Sequence, residues 1–145
     1  MEPIIEVKVE NSILDYFLNL QIPTSFDFPD NPCTKNGKQT LNIIELIDSN
    51  LILHLKKNYF IPSINKIKGN YGFKNINVDW VHHIVYNSQG KQLVHNHEYY
   101  EDFGFILYLN DCPDGQTIFY TFPKPTISTP SKGKLVIFKS YLHHE

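Results

Sequence analysis

Three histidines carry the chemistry this sequence could do. His95 and His97 lie two apart in the run Val94-His95-Asn96-His97-Glu98, and His144 stands far downstream. Side chains two apart on a strand project from one face, so His95 and His97 are within reach of a single ion. Neutral imidazole is the commonest metal ligand near neutral pH. His144, on a distant strand, would close a third position and leave the others open for substrate or oxygen. The spacing alone is equally compatible with a pair of surface or hydrogen-bonded histidines.

Such a site needs strands to hold it. From Ile76 onward the chain reads as short strands broken by turns roughly every 8–12 residues, the pattern of a β barrel or sandwich. The expected strands are 77–86, 92–97, 103–110, 116–122 and 134–138, with turns at 87–90, 110–115 and 130–133. Upstream, residues 4–9 alternate apolar and charged as an edge strand does. Asn11-Ser12 offers a cap for a helix over 13–20, which Pro23 stops. Residues 26–39, rich in Pro, Asp, Asn and Gly, read as a loop. Thr40 is expected to cap a second helix, with its apolar stripe at Leu41, Ile44, Leu46, Ile47, Leu51 and Leu55. Lys56 and Lys57 suit its C-terminal end, and Pro62 is expected to end it before a loop at 66–75. Helices followed by a run of strands predict an α+β chain, with helices on one face of a β core.

The 145 residues fit one domain, helical support over 1–75 and β core over 76–145. Hydrophobic content of 41% and aromatic content of 14% suffice for one packed core. A net charge of -2 offers no basic footprint for nucleic acid and no polybasic membrane patch. Cys33 and Cys112 form no CxxC pair, which speaks against a disulfide framework or a thiolate zinc site. The acidic start Met1-Glu2-Pro3-Ile4-Ile5-Glu6 lacks the basic and apolar regions of a signal peptide. No apolar run approaches about 18 residues. The expectation is a soluble cytoplasmic protein that binds neither nucleic acid nor membrane.

The second half as a whole resembles the Fe(II)/2-oxoglutarate-dependent dioxygenase superfamily. The resemblance runs from Tyr86 and Gly90 through His95-Asn96-His97-Glu98 and Ile106-Leu107-Tyr108-Leu109-Asn110 to Gly115-Gln116-Thr117-Ile118-Phe119. It continues through 127–138, which contains Gly133-Lys134-Leu135-Val136-Ile137-Phe138, and ends at His144-Glu145. The prolyl-4-hydroxylase-like branch and its small phage-type members look closest. The resemblance implies a double-stranded β-helix, or jelly roll, and Fe(II) held by His95 and the distal His144. It implies that Tyr108 and Tyr86 line the pocket for the cosubstrate 2-oxoglutarate, and that Thr117 sets strand geometry. With O2, such an enzyme hydroxylates a protein side chain or a small molecule.

Two departures stand out. His97 falls where the family has a carboxylate, so the third ligand is His97 itself or a carboxylate from Glu98, Glu101 or Asp102. The family's basic residue beyond the distal histidine, which pairs with 2-oxoglutarate, has no counterpart before the chain stops at Glu145. Three explanations are open: a longer natural chain, which is the expected one, a lysine elsewhere, or no cosubstrate. Gly90 with His95-x-His97 and Glu101 also resembles the first motif of cupins, which bind metal in a similar barrel. His144 lies too far past Gly133 for the second cupin motif. A degenerate oxygenase barrel, with a structural role in a viral assembly, is the third reading. His143 is expected on the opposite face from His144, His82 and His83 in core or supporting roles, and His54 on an amphipathic helix surface.

Overall fold

The computed structural model describes residues 4–28, 34–67, 74–92 and 102–145. In chain order its strands are β1 (Ile4–Lys8), β2 (Asp27–Phe28), β3 (Thr34–Thr40), β4 (Ile84–Gln92), β5 (Phe103–Leu107), β6 (Thr117–Phe119), β7 (Thr126–Ser128) and β8 (Lys134–Lys139). The helices are α1 (Asn11–Asn19), α2 (Ser49–Leu55) and α3 (Ile61–Ile67), the last two joined by a π-helical segment, Lys56–Phe60. β1-β8-β5, β2-β3-β4 and β6-β7 form three antiparallel sheets. The fold is α+β, and these sheets do not close into a barrel among the described residues. No described helix is long and apolar enough to cross a membrane.

The run Leu135-Val136-Ile137-Phe138 has no polar alternation, which is how a strand buried on both faces reads. It forms the middle of β8, paired with β1 on one edge and β5 on the other. Leu135 and Ile137 point into one core with Val9, Ile13 and Leu14 and with Leu55, Phe60, Ile64 and Ile67 of the long helix. Val136 and Phe138 point into a second core with Phe119 and Leu142, bordered by Ile4, Ile106 and Tyr108. The same alternation places Phe105 against the Phe60 ring, 4.9 Å between centroids, and Ile106 on the opposite face.

The helices differ from expectation at instructive places. Thr40 ends β3 instead of capping a helix; the true cap is Asp48, whose carboxylate accepts from the amides of Asn50 and Leu51. Pro62 does not end the helix either. In an α-helix its ring would strike the carbonyl four residues back. The π-helical segment widens the turn in front of it, with the Ile61 amide bonding to the Lys56 carbonyl, and the helix runs on to Ile67.

Residues 26–39 are not simply loop, since they hold β2 and most of β3. At Asn36-Gly37 the pairing is irregular: Asn36 has φ 52° and the register shifts between Lys35 and Gly37, with the surplus residues on β4. Gly37 lies so close to β4 that a Cβ there would stand 2.7 Å from the Val85 carbonyl oxygen. β4 begins later than expected and spans 87–90, where a turn is predicted; β3 pairs with it on both sides, and 87–90 fall between the paired Tyr86 and Lys91, where the register is irregular. β7 is a strand the apolar pattern does not mark.

Gly104 is opposite Phe138, and a Cβ there would stand 2.5 Å from the Phe138 ring. Gly104→Ala is therefore expected to cost about 1–3 kcal/mol, seen as a lower denaturation midpoint at unchanged slope. Phe138→Leu in the same chain should recover part of the loss, since the two changes share one contact. Simple additivity of the two losses would refute this account.

Candidate metal centre

The backbone past β8 returns to lie beside β6. Ile118 and Glu145 exchange both amide-carbonyl hydrogen bonds, at 2.9 and 3.1 Å, and the Tyr120 amide bonds to the His143 carbonyl. This antiparallel ribbon puts His144 opposite Phe119. Alternation then turns His143 outward and His144 inward, where it is 4% exposed. The imidazole lies 4.9 Å from the Phe138 ring and 5.7 Å from the Phe119 ring. Its Nδ1 is 3.0 Å from the Leu142 carbonyl oxygen. A carbonyl only accepts, so Nδ1 carries the proton and Nε2 carries the lone pair of the neutral ring.

Beside this histidine is a group of hydroxyls between two sheets. Tyr108 continues β5 and pairs with the start of β8 through Tyr108 N–H to Lys134 O and Gly133 N–H to Tyr108 O, both 2.9 Å. Its hydroxyl meets Thr117 Oγ1 of β6 at 2.6 Å. Thr117 is opposite Ser128 of β7. Burial pushes the Tyr108 hydroxyl above its ordinary range, against the opposing influence of Thr117 and Ser128. Tyr86, on β4, is pushed up to about 12, first by burial and then by the charge Tyr108 would carry. Both remain protonated at neutral pH and can donate.

Of the residues singled out in the sequence, His144 and Tyr108 lie on this side of β8, while Tyr86 is on β4 of another sheet and 44% exposed. His95, His97, Glu98 and Glu101 lie outside the described residues. Asp102 is exposed, and its backbone carbonyl accepts from Ser140 N at 3.2 Å. Among the described residues no three His, Cys, Asp or Glu side chains converge.

The other histidines have local duties. His82 accepts from Trp80 Nε1 through its Nε2 and donates from Nδ1 to the Thr40 carbonyl at 2.7 Å, tying residues 80–82 to the end of β3. His54 is more than helix surface. Asn58 Nδ2 donates to its Nδ1 at 3.0 Å, so Nε2 carries the proton that reaches Glu10 Oε1 at 2.6 Å. Tyr59 bonds to the same carboxylate at 3.0 Å. His54 above all, then Tyr59, holds the Glu10 carboxyl below its ordinary range. Glu10 thereby forgoes capping α1 and fastens its start to the long helix. The Glu10–His54 pair carries no sequence signal, because the fold alone brings the two partners near.

Comparison with family models, with curated proteins and with solved structures finds no match.

Burial holds His82 and His83 below the ordinary histidine value, in His82 against the opposing backbone bond from Thr40. The unfolded chain therefore takes up protons first as pH falls. Stability should be complete above the ordinary value of about 6.5 and should decline as pH drops through it towards the lower folded values. Urea denaturation at stepped pH checks this, and His83→Gln is expected to flatten the decline. An unchanged slope in that variant would show that His83 does not contribute to it.

Proposed function

We propose that the chain is an Fe(II)- and 2-oxoglutarate-dependent dioxygenase built on a double-stranded β-helix, acting on a C–H bond of a protein side chain or small molecule. One observation carries the reading: a buried imidazole, its Nδ1 toward a backbone carbonyl, lies on the same side of β8 as the Tyr108–Thr117 hydroxyl pair. Histidine ligands are characteristically oriented this way, with the second ring nitrogen donating to a carbonyl. His144 therefore fits a metal ligand in chemistry and in burial. His95 and His97 are the proposed companions, and the carboxylates Glu98, Glu101 and Asp102 are the alternatives to His97. An iron held there would supply hydroxylation of a C–H bond by O2, one oxygen atom going to the substrate and the other to succinate as 2-oxoglutarate loses carbon dioxide.

This chain's own residues have distinct tasks in that reading. The His144 ring, the proposed ligand, is packed between the Phe119 and Phe138 rings with Nδ1 toward the Leu142 carbonyl. Tyr108 and Tyr86 present neutral hydroxyls that donate to the cosubstrate without adding charge. The Val136–Phe138 core excludes water beneath them, which strengthens each polar contact.

Anaerobic addition of Fe(II) and 2-oxoglutarate to the full chain is expected to give the weak visible charge-transfer band of the chelate. His95→Ala and His144→Ala should each abolish it. Metal binding without the band would favour a cupin-like metal protein. Absence of metal binding would leave a barrel with a structural role, as in a viral assembly.

A further inference from the structure

β1 is the outer strand of its sheet, and among the described residues nothing pairs with the edge it turns away from β8. Strand parity fixes which backbone groups that edge presents. Val9 N–H bonds to the Gly133 carbonyl at 2.9 Å, so Val9, and with it Val7 and Ile5, turn their backbone groups toward β8. Glu6 and Lys8 therefore turn their amides and carbonyls outward. An edge of this kind is a template for another strand.

The side chains say which strand. Charges along an edge commonly keep other chains off, and a run of one sign would also repel a second copy. Glu6 and Lys8 are instead opposite in sign, two apart, both exposed, and on one face of β1. Lys8 is unmatched within its own chain. It is directly opposite Lys134 of β8, a like-charge pair, and among the described residues it has no ion pair, whereas Glu6 Oε1 is 3.7 Å from Lys134 Nζ. A shallow depression beside β1, lined by Glu6, Val7, Lys8, Ser131, Lys132 and Lys134, gathers three ammonium groups against one carboxylate. A carboxylate carried in by an antiparallel strand would balance it.

We propose that this carboxylate is Glu6 of a second copy of the chain, and that the protein forms a two-fold dimer through β1 with Val7 facing Val7 on the axis. In that register Glu6 of each copy is directly opposite Lys8 of the other, and each such pair exchanges both of its backbone hydrogen bonds. Ile5 falls opposite Val9, so apolar side chains meet on the other face, along the core that Ile5 and Val7 already border. Registers centred on Glu6 or on Lys8 would set like charges against each other at the axis. The contact is isologous and needs only that one strand be self-complementary. It continues β5-β8-β1 into its copy as one sheet. Neither His144 nor a metal takes part, so the dimer is independent of the dioxygenase reading.

Sedimentation equilibrium of the full chain, from micromolar to near-millimolar concentration, tests the pairing. A strand-edge contact is small, so a dimer dissociating in the micromolar range is expected, weaker as salt is raised. Glu6→Lys and Lys8→Glu each place like charges on both sides of the axis, and each should weaken association about tenfold or more. An equimolar mixture of these two variants restores both opposite-charge pairs and should associate close to the natural chain. The Glu6→Lys/Lys8→Glu chain should do the same with itself. Recovery in either case rules out misfolding as the cause of the single-variant losses. A natural chain that stays monomeric across the range, association unchanged by the single reversals, or a mixture and a double reversal as weak as the single variants would each overturn the assignment.

Discussion

Leu135, Val136, Ile137 and Phe138 are each no more than 2% exposed, and a strand with no wet face needs a neighbour on both edges and a layer on both faces. β1 and β5 supply the edges. The long helix covers the face carrying Leu135 and Ile137, while β6 and the residues around Leu142 cover Val136 and Phe138. Each of these elements is placed by the need to bury β8. The long helix keeps its apolar stripe on the core past Pro62 only because the π-helical segment absorbs the proline. The α1 N-terminus, tied through Glu10 to His54 and Tyr59, follows that helix onto the sheet.

The site side of β8 inherits its geometry from the same strand. Phe138 can lie flat over Gly104 because glycine has no Cβ, and His144 then packs against the Phe138 ring. Four residues earlier on the same face, Lys134 stands beside Tyr108. One face therefore runs from the aromatic rings around His144 through Val136 to Lys134 and Tyr108. A change at Gly104 or Phe138 reaches His144 through contact, without any longer relay.

Legibility in the sequence followed how far a segment's state depends on its own side chains. Residues 134–138 and 103–107 were readable because burial needs apolar runs, and residues 4–8 because an edge strand alternates. That His143 and His144 face opposite ways follows from period two, and the pairing of His144 with Phe119 decides which one is inward. β3 was not readable: Thr34–Thr40 has almost no apolar pattern and is a strand because β4 pairs with it, bulge included. β7 is likewise a strand through β6. Thr40 has a capping side chain but is occupied by the sheet, its hydroxyl accepting from the His83 amide at 2.8 Å. At the site, residue types that ligate metals were visible, whereas the place of Lys134 beside Tyr108 follows only from register, which unites residues with no shared motif.

The charge inventory of this face bears on how an acidic ligand would be held under the proposed reading. Lys134 is partly offset by Glu6 at 3.7 Å. If His97 takes the place of the usual carboxylate, the ligands are all neutral and the metal keeps more of its positive charge. Attraction for an acid would then lie more at the metal end and less at Lys134, the reverse of a site with a charged guanidinium clamp and an anionic ligand.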